Sequence, residues 1–134
     1  MARIEEDRRY TNDHEWALVD PDDDQVVIVG VTDYAQEHLG DIVMVELPEV
    51  GEEIQQGEAF GSVESPKSVS DLFAPVSGEV IDVNAQLEDT PETVNADCYG
   101  EGWLVKVRMG RPEDLEDLMD APAYAAYLET LEEA

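Results

Sequence analysis

The sequence predicts a mainly β fold in which two packed antiparallel sheets form a flattened barrel or sandwich, with a short internal helix and C-terminal helices. Short apolar runs rich in valine and isoleucine recur along residues 10–109. Glycine and proline turn signals separate these runs, and many short strands between such turns are typical of sandwiches and barrels. Beyond Pro112 the apolar residues change to helical spacing. Together these observations favour a β domain followed by C-terminal helices.

The N-terminal residues differ in composition from the rest of the chain. Residues 1–9 are rich in charged side chains and poor in apolar ones, so we expect a flexible N-terminal arm. Residues 10–134 contain no composition break that would divide them, and we expect a single domain there. Within this domain, residues 10–19 predict strands around a turn, and the apolar run at 26–31 predicts a buried strand.

A short helix is predicted after the buried strand. Thr32 is a good N-cap residue, Asp33 places an acid in the first turn, and Gly40 can end the helix. We therefore predict a helix over residues 34–39. Residues 42–47 then predict another strand, mostly buried.

The second half of the chain predicts four more strands and two helices. The strands are expected at residues 59–64, 70–74, 78–84 and 102–109. Pro91 could open a single helical turn between the last two of them. Proline also suits the first turn of a longer helix, and helices are predicted over residues 112–119 and 122–131.

The charge of the chain is extreme: 34 acids face seven lysines and arginines, giving a net charge of −27. Two interpretations remain open, a surface for a strongly basic partner and a halophilic-type surface, which the even spread of the acids favours. Raising salt from physiological levels to about 1 M would weaken the self-repulsion by at most about 13 kcal/mol. Nucleic acids and anionic membranes are excluded as partners because both are negative.

The sequence offers few residues for catalysis or metal binding. Cys98 is the only cysteine, so dithiol chemistry would have to come from a cofactor. His14 and His38 lie in different segments and lack the ligand spacing of zinc motifs, so no metal site is expected. No catalytic or nucleotide-binding motif is present, and we expect a non-catalytic protein. The charged N-terminus and the lack of a long apolar stretch predict a soluble, cytoplasmic protein.

Lys67 is one of only two lysines, Lys106 being the other. Pro66 fixes its own φ and keeps Ser65 extended, and proline suits position i+1 of a tight turn, which puts Lys67 at i+2. The sequence therefore predicts a β-hairpin with a lone amine near its tip. Such a lysine can be a solubilising turn residue, but an exposed amine can also be acylated by another protein.

The residues around the hairpin follow a family pattern. It runs Gly51-x-x-Ile54-x-x-Gly57-x-x-Phe60-x-x-Val63-Glu64-x-x-Lys67 and continues as Ala74-Pro75-x-x-Gly78-x-Val80. This pattern resembles the biotinyl/lipoyl attachment motif. Further segments, in order over about residues 10–130, resemble the H-protein family of the glycine cleavage system: His14-Glu15-Trp16, Gly30-Val31-Thr32-Asp33, Leu39-Gly40-Asp41, Val45-Glu46-Leu47-Pro48 and Tyr99-Gly100-Glu101-Gly102-Trp103. Several such blocks at family-like spacing make the resemblance specific.

The resemblance implies a lipoyl-type fold, and a lipoyl-carrier domain over residues 10–134 with lipoate joined through an amide to Lys67. It implies three partner enzymes. A pyridoxal-phosphate-dependent glycine decarboxylase would load an aminomethyl group, a tetrahydrofolate-dependent aminomethyltransferase would remove it, and dihydrolipoyl dehydrogenase would reoxidise the arm. A lipoylating enzyme would attach the cofactor. The chain itself would only carry the aminomethyl group and reducing equivalents, in glycine catabolism and one-carbon metabolism.

The resemblance also implies roles for four acids. Glu64 would steer the lipoylating enzyme to Lys67. Glu15 and Asp71, with Asp13 beside Glu15, would line a cleft that shields the loaded arm from water. An ammonium group on the arm would favour carboxylates there. Each of these acids can also be a solvated surface residue, like most other acids of the chain.

Three positions depart from the family pattern. Pro66 stands where a small or β-branched apolar residue is common, Asp13 where serine is common, and Cys98 where proline is common. Two related functions stay open, an H-like protein that donates lipoate to other complexes and a biotin carrier. Biotin carriers usually flank the lysine with methionines, and Pro66 and Ser68 argue against that alternative.

Overall fold

The computed structural model describes residues 3–133, with side chains described for residues 3–131. Within that range the chain forms nine strands, four α-helices and one 3-10 helix. The strands are β1 (Arg9–Tyr10), β2 (Glu15–Asp20), β3 (Asp23–Val31), β4 (Met44–Glu46), β5 (Glu53–Ile54), β6 (Ala59–Ser65), β7 (Ser68–Phe73), β8 (Gly78–Val83) and β9 (Val105–Met109). The helices are α1 (Asp33–Leu39), α2 (Gln86–Asp89), α3 (Thr93–Ala96), the 3-10 helix (Pro112–Asp117) and α4 (Ala121–Glu133).

The strands form two antiparallel sheets. The larger sheet has the order β1-β2-β3-β9-β8-β5, and the smaller sheet has the order β4-β6-β7. Fully buried valines from both sheets share one core, among them Val27, Val29 and Val107 of the larger sheet and Val63 of the smaller one. The predicted mainly β fold of two antiparallel sheets with a C-terminal helix is therefore confirmed.

Strand β3 crosses the middle of the larger sheet, between β2 and β9. Its apolar run is buried, as predicted, except for the half-buried Ile28. Gly30 leaves room for Trp16, since a β-carbon added to Gly30 would lie 2.4 Å from the indole ring. The Trp16 indole N–H donates to the backbone oxygens of Val31 at 2.9 Å and Cys98 at 3.1 Å. Trp16 is thereby fixed between the sheet and the loop before β9.

Helix α1 follows the local signals closely. The Thr32 hydroxyl accepts a hydrogen bond from the Ala35 backbone N–H at 3.2 Å, which caps the first turn. Gly40 ends the helix with a φ of 80°, a conformation that glycine adopts without strain. The predicted helix is confirmed, with its first residue one position earlier than expected.

The structure corrects the expected strand over residues 42–47. Only Met44–Glu46 is extended, and Met44 is 48% exposed. Successive side chains of a strand project from opposite faces of its sheet, and the outer face of the smaller sheet is exposed at Met44 and Glu46. The prediction of a mostly buried strand was wrong because a short apolar run does not show whether both faces of its sheet are covered.

The C-terminal region also differs from the expectation in one respect. Residues 112–119 were expected to form a helix, but the structure has a short 3-10 helix that ends at Asp117. The buried side chain of Asp114 accepts a hydrogen bond from the Ser77 backbone N–H at 2.9 Å, which ties this segment to the start of β8. The following helix is present, as predicted, but it starts at Ala121.

The described part of the expected N-terminal arm contacts the domain. The Arg8 guanidinium lies 4.6 Å from the centre of the Trp16 ring and donates to the Tyr99 backbone oxygen at 3.0 Å. The Tyr99 hydroxyl donates to the Arg3 backbone oxygen at 2.7 Å. Met1 and Ala2 lie outside the described residues. Flexibility of the arm, and a single domain over residues 10–134, stay predictions.

Candidate functional site

Lys67 lies at the tip of the hairpin formed by β6 and β7. Ser65 pairs with Ser68, so Pro66 and Lys67 are the two residues of the turn. Neither turn residue has a positive φ, which rules out the primed turns that need positive φ at the first central position. The predicted hairpin is confirmed, although its strands extend closer to the turn than expected.

The Lys67 side chain is exposed and makes no ion pair within the described part of the chain. Its Cε atom lies 3.8 Å from the position that a β-carbon on Gly40 would occupy. Gly40 ends helix α1, so the amine-bearing chain extends from the hairpin towards the end of that helix. The amine is therefore accessible and lies near the C-terminal end of helix α1.

A cleft of about 340 Å³ lies between the loop before β2, helix α1 and strand β7. It contains the three acids that the sequence analysis assigned to a cleft, Asp13, Glu15 and Asp71. Leu39, next to Gly40, belongs to the same cleft and brings it near Lys67. Its other lining residues are Asn12, His14, Val31, Tyr34, Ala35, His38, Val63, Ser70, Leu72 and Phe73.

Glu15 differs from the other two acids because it is only 2% exposed. Its carboxyl group accepts hydrogen bonds from the Thr11 hydroxyl at 2.8 Å and from the Phe73 backbone N–H at 3.3 Å. Burial raises the pKa of Glu15 to about 8, against the opposing effect of these two hydrogen bonds. Asp13 and Asp71 are exposed. The raised pKa favours the neutral form of the Glu15 carboxyl at neutral pH, whereas the side chains of Asp13 and Asp71 are in contact with solvent.

His14 occupies an unusual backbone conformation at the entrance to β2. Its φ is 70°, in the left-handed region that few residues other than glycine adopt. Its Nδ1 atom lies 2.8 Å from the hydroxyl of the fully buried Tyr124, which lies 2.9 Å from the Thr32 hydroxyl. Burial lowers the pKa of His14. The Tyr124 hydroxyl thus joins the His14 loop, the start of α1 and helix α4.

Three cleft residues, His14, Tyr34 and His38, were not expected there from the sequence. Tyr124 is not part of the cleft lining and lies in the helix predicted over residues 122–131. Tyr34 stacks on His38 with ring centres 4.0 Å apart, and His14 lies 4.5 Å from Tyr34. The spacing of Tyr34 and His38 was a usable signal, because residues four apart share one helix face. Nothing local links His14 to Tyr124.

Glu64 lies outside the cleft, on the central strand of the smaller sheet. It is partly exposed and precedes Lys67 by three residues. Its neighbours across the strands are Met44 and Val69, and its backbone oxygen accepts a hydrogen bond from Val43 at 2.8 Å. The structure therefore separates the predicted site residues into a cleft group and a hairpin group.

Residues 3–133 contain no cluster of three or more metal-ligating side chains. None of the helices among them has both the length and the apolar character needed to cross a bilayer.

A family of known proteins matches the segment that contains the hairpin and the cleft. Residues 8–131 match the family described as "Glycine cleavage H-protein". The chain belongs to this family. The matched segment includes the hairpin that carries Lys67 and every residue that lines the cleft.

Relatives in the H-protein family match nearly the whole chain. The glycine cleavage system H protein of Anaeromyxobacter sp. strain K is 54% identical over 129 residues, which cover 96% of this chain and 98% of that protein. The H protein of Chromohalobacter salexigens is 51% identical over 133 residues, covering 99% of this chain and 100% of its own length. A crystal structure of the H protein from Mycobacterium marinum has a TM-score of 0.85 and 45% identity, and covers 94% of this chain and 99% of that one.

Proposed function

We propose that this chain is a non-catalytic lipoyl carrier of the glycine cleavage system, with lipoate attached to Lys67. In this function it shuttles an aminomethyl group and reducing equivalents between partner enzymes. The observation that supports the proposal most directly is the exposed Lys67 at the tip of a two-residue hairpin, beside an acid-lined cleft, in a chain of the H-protein family.

The residues around Lys67 suit a covalently attached group. The turn is short and both strands of the hairpin are paired up to it, so the attachment point is held in place while the side chain remains mobile. When bound, lipoate supplies a reducible disulfide at the end of a long flexible tether. The single cysteine of the chain is buried, and burial raises the pKa of its thiol to about 12, so Cys98 does not compete in thiol chemistry.

The cleft residues suit a cationic group that must be kept from water. Asp13 and Asp71 supply negative charge at the surface of the cleft, and apolar side chains such as Leu39 line it. A cation that enters would stabilise the charged form of Glu15, so Glu15 would release its proton and form a buried ion pair. Glu15 thereby holds a proton while the cleft is empty and a charge while it is filled.

The proposed partners are those of the glycine cleavage system. They are a pyridoxal-phosphate-dependent glycine decarboxylase, a tetrahydrofolate-dependent aminomethyltransferase and dihydrolipoyl dehydrogenase. A lipoylating enzyme prepares the carrier. The net charge of −27 favours basic surfaces on these partners and speeds encounter with them at low salt.

Replacing Lys67 tests the attachment directly, and Lys106 provides a matched control. Lys106 is the other lysine of the chain, and its amine lies 5.6 Å from the centre of the Trp103 ring. We expect Lys67→Arg to abolish the gain of one lipoyl mass by intact-protein mass spectrometry, whereas Lys106→Arg retains it. Arginine keeps the charge but offers no primary amine.

Glycine–CO2 exchange with the partner decarboxylase tests the rest of the proposal. The wild-type protein and Lys106→Arg should support exchange, and Lys67→Arg should not. A lipoylated wild-type protein without exchange would contradict the aminomethyl shuttle and favour a protein that only relays lipoate. A biotin mass on Lys67, or no modification in native cells, would refute the lipoyl carrier itself.

A further inference from the structure

Large apolar side chains are concentrated at the surface close to the turn of the Lys67 hairpin. Among the described residues, five such side chains are exposed, and three of them lie at this one place. They are Val43 at 55%, Met44 at 48% and Val69 at 63%. Scattered single apolar residues are normal on a protein surface, but a cluster in a strongly charged chain indicates a contact surface.

The strand register places two of these residues in one row with Glu64. Met44 is directly opposite Glu64 in the β4–β6 pair, and Glu64 is directly opposite Val69 in the β6–β7 pair. Directly opposite residues project from the same face of a sheet. Val63, next in sequence, is fully buried, so the row of Met44, Glu64 and Val69 is on the outer face. We call this row the hairpin patch.

The hairpin patch is confined to the end of the sheet nearest Lys67. The next row on the same face consists of Glu46, Ser62 and Asp71, and the Ser62 hydroxyl donates to the Glu46 carboxylate at 3.3 Å. This second row is polar. The apolar surface therefore does not continue along the sheet, and its position is tied to the attachment lysine.

One class of partner must cover this surface. The enzyme that acylates Lys67 has to bring an activated lipoyl carbonyl to the lysine Nζ, which lies only about 6 Å from its own Cα. The new amide bond forms as the bond from the carbonyl to its phosphate or thiol leaving group breaks, and the amine loses one proton. An enzyme that reacts with the far end of the finished arm acts roughly 10 Å farther out and can avoid the hairpin.

The chemistry of the hairpin patch also defines the surface that fits it. Met44 and Val69 require apolar partner side chains. Glu64 lies between them and would lose water on docking, so it requires a cation on the partner. Contacts near the centre of an interface, from which water is excluded, carry more of the binding energy than contacts at its rim.

We propose that the hairpin patch is the docking surface for the enzyme that acylates Lys67, and that this enzyme presents an apolar surface with a cation opposite Glu64. This inference rests on the proposed function, since it requires that Lys67 is lipoylated. It adds Met44 and Val69 as specificity residues to the role expected for Glu64.

The double variant Met44→Thr/Val69→Thr tests the patch, because threonine keeps a high strand propensity while removing apolar surface. The matched control is Val19→Thr/Val50→Thr, which changes two exposed valines away from the hairpin, 40% and 59% exposed. Steady-state lipoylation by a purified ATP-dependent lipoate ligase is followed by intact mass. We expect KM for the double variant to rise about tenfold with little change in kcat, and KM for the control to stay within about twofold.

Three results would overturn the docking surface. The first is an unchanged KM in the double variant, and the second is an equal rise in the control. The third is a loss of glycine–CO2 exchange in the double variant, measured after the double variant and the control have both been fully lipoylated with excess ligase. A loss that matches the rise in KM would assign the patch to the decarboxylase instead. A wild-type protein that accepts no lipoyl group would refute the proposed function itself, so the two failures are distinguishable. Circular dichroism and a melting curve confirm that each variant is folded.

Discussion

Replacing Glu15 with glutamine should remove a pH dependence that this buried carboxyl imposes on the stability of the protein. Glu15 has an ordinary pKa of 4.5, which burial raises to about 8 in the folded chain. Between pH 4.5 and about 8, the folded protein therefore keeps a proton on Glu15 that the unfolded chain has released. The resulting stabilisation is fully present below pH 4.5 and is lost as pH rises through about 8.

The size of the effect follows from the two pKa values. Between pH 5 and pH 8, the carboxyl should cost the wild-type protein about 3 kcal/mol of unfolding free energy. Glutamine has nearly the same shape as the protonated acid but does not titrate. The difference in stability between the wild type and Glu15→Gln should therefore shift by about 3 kcal/mol over this interval, in favour of the variant at high pH.

Urea unfolding at several pH values measures this difference, provided that the slope of free energy against urea stays the same. Asp71→Asn is the matched control, because Asp71 lines the same cleft but is exposed. Its stability relative to the wild type should change by less than about 0.5 kcal/mol over the same interval. A constant difference between the wild type and Glu15→Gln from pH 5 to pH 8 would refute the reasoning and show that Glu15 is ionised in the folded protein.

Two further predictions concern the net charge of the chain and the hydroxyl of Tyr124. The melting temperature should rise by at least about 10 °C from about 0.05 M to about 1 M NaCl, because salt screens the repulsion within the chain. Calorimetry measures this, KCl should act equally, and a flat curve would contradict it. Tyr124→Phe should lower the unfolding free energy by about 1–2 kcal/mol, because His14 and Thr32 lose a buried partner. Tyr127→Phe, whose hydroxyl makes only an exposed 3.4 Å contact, should cost less than about 0.5 kcal/mol; equal costs in urea unfolding would count against this network.

Local signals in the sequence were sufficient for the hairpin and for helix α1. Pro66 sets the conformation at the turn, and Thr32 and Gly40 mark the two ends of the helix. Each of these features depends on residues that are neighbours in the chain, so turn and capping chemistry predict them. The same reasoning failed at Met44, because its exposure depends on whether distant segments cover that face of the sheet.

The acids of the cleft show where such reasoning ends. The sequence, through its resemblance to a family, grouped Glu15 with Asp71, and the structure places both in one cleft. Their different environments could not be read from the sequence. The buried Glu15 carboxyl accepts a hydrogen bond from the backbone of Phe73, which is 58 residues away in the chain. A pKa is determined by the final surroundings of a group, so it has no local sequence signature.

By itself, the sequence determined that one amine is presented on a tight turn, and its motifs determined the family. Only the tertiary structure decided that Glu15 is buried and mostly neutral, that Tyr124 holds His14 from 110 residues away, and that Met44 and Val69 flank Glu64 on one outer face. The physical reason is the range of the interactions. Turns and caps are formed by adjacent residues, whereas burial, pKa and strand register arise only when distant segments pack together.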